Sequence, residues 1–224
     1  MNRSAFFASL RAQGEPFGSR ITQGQVEGAE AILDACRRHG IADPHHVANI
    51  LAQVHRETGG RMLPVREAFA ASDADAIARL ERAWERGQLR WVRQPYWRGG
   101  WFGRGAIQIT HRDNYAKMGR RLGVDLVGNP ALALDPATSA DIAVVGMAEG
   151  LFTGRRLTDF SFPADLDAPV PRNPRRIVNG QDGSDAEVAR HHRAFRAALD
   201  GWEIEKPAPA EGFFAALLRR FRRT

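Results

Sequence analysis

Apolar side chains recur at intervals of three and four residues through most of the chain, and this spacing predicts a mainly α-helical protein. Start and stop signals place the helices over residues 4–12, 22–40, 43–57, 72–87, 110–123, 135–149 and 184–199. Asp43 and Pro44 are typical of a helix start, because Asp accepts hydrogen bonds from free amides and Pro suits the first turn. Four other starts have the spacing of a capping box: Thr22, Ser72, Thr110 and Ser184.

Strand signals are sparse. Residues 61–71 predict a loop or a short extended piece, and residues 106–109 predict a short strand. We therefore expect at most a small β hairpin beside the helices.

The helix over residues 43–57 ends in the sequence HRETGG at residues 55–60. Glu57 shares a helical stripe with Ile50 and Val54, so we expect its carboxyl to face apolar groups and its pKa to be raised. A carboxyl that keeps its proton near neutral pH can act as a general acid. The alternative is a helix-end glutamate followed by a glycine C-cap, and this hexapeptide alone does not distinguish the two.

Aromatic residues alternate with glycines between residues 91 and 105. Such a segment suits a groove wall on which sugar rings stack, but it also suits a tightly packed loop. Taken alone, the composition favours packing.

The chain has 224 residues, is 43% hydrophobic and carries a net charge of +6, which suits one sizeable domain. Its basic side chains are nearly all arginine, since Lys117 and Lys206 are the only lysines. This charge favours a polyanionic partner, or reflects a coding bias toward arginine. No basic tract with interleaved aromatics occurs within the core of the chain, so we expect no nucleic-acid partner.

Cysteine and histidine spacing gives no sign of a cofactor. Cys36 is the only cysteine, which excludes an internal disulfide and a cysteine zinc cluster. No His-Glu-x-x-His motif occurs, and the glycines near residue 103 break the dinucleotide-binding pattern. We therefore predict no metal and no cofactor.

The chain is predicted to divide into a domain over residues 1–205, a Pro/Ala linker over 206–211 and a basic amphipathic helix over 212–224. That helix is expected to contact anionic membranes, or else to dock on the domain or on a second copy. No apolar signal run follows Met1, so we expect synthesis in the cytoplasm without a signal peptide. We expect a monomer.

Four separated blocks resemble the family 19 glycoside hydrolases, which are the chitinases and the related phage and prophage endolysins. The blocks are HRETGG at 55–60, YWRGGWFGRGAIQIT at 96–110, DNY at 113–115 and NG at 179–180. They follow the family's order over about residues 20–200, and the phage-type branch looks closest because the chain lacks the cysteines of plant chitinases. The resemblance implies a lysozyme-like, two-lobed helical fold with a central cleft that hydrolyses β-1,4 bonds beside N-acetylglucosamine.

The resemblance also implies roles for individual residues. Glu57 matches the general acid, and Thr110 matches the hydroxyl that helps to hold the attacking water. The predicted substrate-binding residues are His55, Tyr96, Trp97, Gln108, Asn114, Asn179 and Arg190. On a looser local alignment, Arg190 matches an arginine in the charge network behind the carboxylates. Each has a simpler alternative: Thr110 as a helix cap, Asn179 as a turn residue, and Gln108 as a partner of buried backbone.

The second carboxylate is predicted to be Glu67, although plant chitinases place theirs further along the chain. Ten residues separate it from Glu57, and a loop of that length can carry it to the opposite wall of a cleft, as an inverting mechanism requires. We expect Glu67 to lie beside Arg66 or another cleft arginine, with Glu81 and Glu85 as alternatives. A surface ion pair would be the simpler role for Glu67.

The expected substrate is peptidoglycan, cut in the manner of an endolysin, whether muramidase-like or glucosaminidase-like, after release to the cell wall. A chitinase acting on chitin and a catalytically silent wall-binding module are the alternatives. The intact set of Glu57, Glu67, Gln108 and Thr110 favours the enzyme.

Overall fold

A computed structural model describes residues 1–203, and these contain seven α-helices and one two-stranded sheet. The helices are α1 Arg3–Gln13, α2 Gln23–Arg38, α3 Pro44–Glu57, α4 Asp73–Glu85, α5 Arg112–Leu122, α6 Pro136–Glu149 and α7 Asp185–Ala198. Strands β1 Val65–Arg66 and β2 Arg104–Gly105 pair antiparallel, with Val65 opposite Gly105. The prediction of a mainly helical fold is confirmed. The two strands form a small sheet rather than a hairpin, because α4 lies between them in the chain.

Most of the predicted helix starts are formed as expected. Asp43 accepts the backbone N–H of His45 at the start of α3, and Thr22 forms a full capping box with Gln25 at the start of α2. The side chains of Ser72 and Asp135 accept backbone N–H groups at the starts of α4 and α6. These caps satisfy amides that have no partner within the helix.

Two predicted caps are wrong. The residue before α5 is His111, whose φ of +65° turns the chain sharply, and Thr110 therefore does not cap the helix. Ser184 precedes α7 without a capping bond, because its hydroxyl donates to Asp182 Oδ1 at 2.6 Å.

The strand predicted over residues 106–109 is also displaced. Gly105, with a φ of +116°, allows the chain to reverse directly after β2, so only Ile109 of that segment pairs, through a bridge to Arg104. Ala106 and Ile107 join the hydrophobic core instead.

Helix α3 lies at the centre of the main hydrophobic core, between α2, α6 and α7. Every residue from Val47 to His55 is buried, so this helix is enclosed on all of its faces rather than along one stripe. Smaller apolar clusters lie beside α5 and α4. The enclosed helix holds Glu57, its last residue, in a fixed position at the edge of the core.

Within residues 1–203, no helix combines the length and apolar character that a membrane span requires. The predicted linker over 206–211 and the predicted helix over 212–224 lie outside the described residues.

Candidate active site

Glu57 lines a cavity of about 280 Å³ at the end of α3, near the lower end of the volumes of small-molecule sites. The other polar side chains around this cavity are Gln108, Thr110, Asn114, Lys117 and Asn179. The structure therefore brings together five of the residues predicted for the site: Glu57, Gln108, Thr110, Asn114 and Asn179.

A buried arginine, Arg175, binds the Glu57 carboxylate. Arg175 is only 1% exposed, and its guanidinium donates to Glu57 Oε1 at 2.5 Å, to Asp182 Oδ2 at 2.6 Å and to Gln53 Oε1 at 2.7 Å. The helical stripe did not predict this charged partner. Apolar side chains such as Val178 do line the Glu57 cavity, so the carboxyl lies between a charged network and partly apolar walls.

Asp182 is the second carboxylate on the same guanidinium. Burial raises the pKa of Asp182, but hydrogen bonds from Arg175 and Ser184 outweigh burial and leave this pKa far below its usual value. Burial lowers the pKa of Arg175, and its two carboxylate partners more than offset that effect. Both Arg175 and Asp182 therefore stay charged across the working range of pH.

Replacing Arg175 by methionine should lower the free energy of unfolding by roughly 3–5 kcal/mol, because it leaves two carboxylates and an amide without their partner. Urea unfolding followed by circular dichroism measures this loss. Arg190→Met is the matched control, since Arg190 is exposed and pairs with Glu15 at the surface. We expect a loss of at most about 1 kcal/mol for the control, and a similarly small loss for Arg175→Met would contradict the buried network.

Arg190 is thus not the arginine behind the carboxylate. Its guanidinium donates to Glu15 Oε1 at 3.0 Å, and Arg175 occupies the position that the loose local alignment had given to Arg190.

Glu67 follows β1 directly, and both of its carboxylate oxygens accept hydrogen bonds. The Tyr96 hydroxyl donates to Oε1 at 2.6 Å, and the Gly103 backbone N–H donates to Oε2 at 2.7 Å. Burial, followed by the bond and charge of Glu67, raises the pKa of Tyr96, so this hydroxyl remains a donor. The expected pairing with Arg66 is wrong, because Arg66 donates to Asp73 at 2.6 Å instead.

A second, wider groove adjoins the Glu57 cavity, since Thr110 lines both. Its walls include Trp91, Tyr96, Trp101 and His111. Trp91 is 75% exposed, whereas Trp101 and Tyr96 are half-buried. The aromatic segment therefore does both: these residues provide a groove wall, whereas Trp97 and Phe102 are fully buried, as the packing interpretation predicts.

Gln108 and Gly103 connect the surroundings of the two glutamates. A Cβ added at Gly103 would lie 2.6 Å from Gln108 Oε1, so the glycine leaves room for this amide. Gly103 binds Glu67, and Gln108 lines the cavity of Glu57. Asn114 supports the same wall, since its Nδ2 donates to the Thr110 carbonyl at 2.8 Å.

Two predicted substrate contacts lie elsewhere. His55 lines a different cavity, where its ring packs edge-to-face on Phe17 and on His191. Trp97 is fully buried, and its indole N–H donates to Glu81 at 2.8 Å. Neither side chain lines the Glu57 cavity, since His55 borders the other cavity and Trp97 belongs to the apolar cluster beside α4.

The two alternatives to Glu67 have different surroundings. Hydrogen bonds from Arg98, and then from Trp97, lower the pKa of Glu81 to about 2. Both carboxylate oxygens of Glu81 are engaged by these partners. Glu85 is exposed at the last residue of α4.

Sequence reasoning missed three polar residues of the site: Arg175, Asp182 and Lys117. Lys117 lines the cavity and donates from Nζ to the Leu151 carbonyl at 2.6 Å. Arg175 and Asp182 flank the Asn-Gly block at residues 179–180, and their opposite charges were the only available signal.

Comparison with known proteins finds relatives of this chain among the chitinases. A family model described as chitinase class I, of glycoside hydrolase family 19, matches residues 36–148. Endochitinase 4 of Solanum tuberosum is 53% identical over 45 residues, which are 20% of this chain and 15% of that protein. Endochitinase B of Nicotiana tabacum is 58% identical over 40 residues, which are 17% of this chain and 12% of that protein. The chain thus spans only a small part of the length of these relatives.

The fold is also similar to a solved structure, chitinase C from Streptomyces griseus HUT6037. The TM-score is 0.55 at 17% sequence identity, over 92% of this chain and 78% of that one. At this identity the likeness shows the fold alone. The family model, however, spans half of the 224 residues. The chain therefore belongs to the class I chitinase family, glycoside hydrolase family 19.

Proposed function

We propose that the protein is a glycosidase that cuts β-1,4 bonds beside N-acetylglucosamine by an inverting acid/base mechanism. The observation that carries this proposal is the cavity in which Glu57 faces Gln108, Thr110, Asn114 and Asn179. A carboxyl among amides and a hydroxyl suits a polar sugar, because these groups can bind its hydroxyl and acetamido substituents while the acid reaches the glycosidic oxygen.

Glu57 is assigned as the general acid. Of the two carboxylates on Arg175, Asp182 stays ionised, and Glu57 is the one that lines the cavity. Glu57 is therefore the carboxyl placed to act on the glycosidic oxygen, and Arg175 fixes its orientation.

Glu67 is assigned as the general base that activates the attacking water. Each of its oxygens already accepts one hydrogen bond, from Tyr96 or from Gly103, and each keeps a lone pair for a water molecule. These bonds fix the carboxylate next to the aromatic groove. Thr110, which lines both cavities, is assigned to orient the water.

The substrate we favour is peptidoglycan, as for an endolysin of the muramidase or glucosaminidase type. Its peptide stems carry carboxylates, whereas chitin is uncharged. Lys117 lines the Glu57 cavity, Arg93 lines the aromatic groove, and the net charge is +6. These cations would attract an anionic polymer. Chitin is the second candidate, supported by the endochitinases among the relatives.

The test is the release of reducing ends from purified peptidoglycan and from chitin, side by side, at low and high salt. We expect faster release from peptidoglycan, with an advantage that shrinks as salt screens the charges. Release from chitin alone would overturn the choice of substrate and keep the glycosidase. Binding to both polymers without release from either would instead indicate a silent wall-binding module.

We also propose that the protein acts on the cell wall after release and that residues 212–224 help it to contact anionic membranes. The sequence places Phe213, Leu217 and Phe221 near four arginines in this segment. Truncation at Pro209 should reduce binding to anionic vesicles while keeping activity on isolated wall, with zwitterionic vesicles as the control. Unchanged binding to anionic vesicles would remove the membrane role.

A further inference from the structure

Two histidines and a glutamate meet between α3 and α7, apart from the Glu57 cavity. His55, Glu187 and His191 each offer a ligand atom, and these atoms all lie within 4.8 Å of one another. Glu187 and His191 are four residues apart, so they lie on the same face of α7. We propose that these three side chains form a binding site for a divalent transition-metal ion, with zinc as the best match.

The donor types fit zinc. Two imidazoles and one carboxylate are a common set of three protein ligands, with the fourth position of the tetrahedron left for water. The three side chains come from two separate helices, so they approach an ion from different directions.

Both histidines are buried, and neither has all of its ring nitrogens paired. His55 is 9% exposed and His191 is 3% exposed, and within residues 1–203 the Nδ1 atoms of both have no hydrogen-bond partner. A buried polar atom without a partner is destabilising, and coordination to an ion would give such an atom a partner.

The surrounding charges are balanced. Arg56 Nε lies 3.5 Å from Glu187 Oε2, and Glu15 bridges Arg190 and His191, with Oε2 at 3.5 Å from His191 Nε2. A carboxylate facing the second nitrogen of a ligating imidazole orients the ring, so Glu15 is a positioning residue for this site.

Binding requires a modest contraction. Ligand atoms around tetrahedral zinc lie about 3.4 Å apart, so atoms that are now within 4.8 Å of one another must close by up to about 1.4 Å. Glu187 is half-buried and held only by the long contact with Arg56 among its salt bridges within residues 1–203, so it can make this movement.

A bound ion would link helix α3 to helix α7. His55 lies two residues before Glu57, so an ion bound here would fix the helix end that carries the proposed acid. Because the site exists only in the folded chain, zinc at a hundredfold excess over its Kd should raise Tm by about 5 °C or more.

The test is titration of the chelator-treated, full-length protein with Zn²⁺ by calorimetry, and with Co²⁺ by visible absorbance. We expect one equivalent to bind, with the absorbance of a tetrahedral Co²⁺ site. Glu187→Gln and His191→Gln should each weaken binding about 10-fold or more. Glu187→Gln is the variant that keeps the fold should His191→Gln fail to do so, because Glu187 is only half-buried.

His192→Gln is the matched control. His192 is the next residue on α7 and is equally buried, but it stacks on Phe162 and contacts His45 outside the cluster. Its replacement should leave binding unchanged. Absence of stoichiometric binding to the wild type, unchanged binding in Glu187→Gln, or loss of binding only in His192→Gln would each overturn the proposal. These measurements need no substrate, so they are independent of the glycosidase assignment.

Discussion

Replacing Glu57 by glutamine should reduce hydrolysis about 10²–10⁴-fold while the protein remains folded. Glutamine keeps the shape of the side chain, and its carbonyl can still accept the hydrogen bond from Arg175, but it has no transferable proton. The turnover of purified wild type and variant on the better of the two polysaccharides measures the loss.

Glu149→Gln is the control for this experiment, since Glu149 pairs with Arg121 on the surface. It should retain wild-type turnover. Urea unfolding of both variants separates a chemical defect from a folding defect. Turnover of Glu57→Gln within a few-fold of wild type would contradict the role of Glu57 as the acid.

Glu67→Gln should cause a loss of similar size, about 10²–10⁴-fold, because an amide cannot take a proton from the attacking water. Tyr96→Phe removes the hydroxyl that fixes Glu67 but keeps the ring in the groove. We expect this second variant to lose about 10-fold, as appropriate for a residue that positions the base.

Glu67→Gln and Tyr96→Phe together distinguish a catalytic role of Glu67 from a purely structural one. If Glu67 served only to hold Tyr96 and Gly103 together, Glu67→Gln and Tyr96→Phe would lower stability equally and leave turnover near that of wild type. Full activity in Glu67→Gln would pass the role of base to Glu81 or Glu85.

The helices were predictable because their signals are local. Periodic apolar residues and caps such as Asp43 and Thr22 act within a few positions, and the structure forms them as expected. The grouping of Glu57, Gln108, Thr110, Asn114 and Asn179 was predictable for a different reason. It came from motif blocks shared with a family, not from the pattern of the chain itself.

The charged residues that bind Glu57 could not be predicted from the local sequence pattern. Arg175 and Glu57 are 118 positions apart, and their pairing depends on how the segment before α7 passes the end of α3. The hydrogen bond between Tyr96 and Glu67, which are 29 positions apart, likewise depends on the fold and not on local pattern. A helical stripe predicts which face of a helix is buried. It does not predict which distant side chain binds the residue at the helix end.

The histidine cluster illustrates the same limit. Glu187 and His191 have a spacing that permits joint ligation, but His55 lies on another helix, so no metal motif is visible in the sequence. His55 was assigned instead to the substrate because it belongs to the motif that contains Glu57. In the structure its ring lines a different cavity and lies near Glu187 and His191.

The anomer released first by the wild-type enzyme tests the inverting mechanism most directly. Proton NMR of a β-1,4-linked substrate reads the new reducing end before mutarotation mixes the two forms. With Glu57 as acid and Glu67 as base, water attacks the face opposite the leaving group, so the α-anomer should appear first. A β-anomer appearing first would mean retention of configuration and would contradict the assigned role of Glu67.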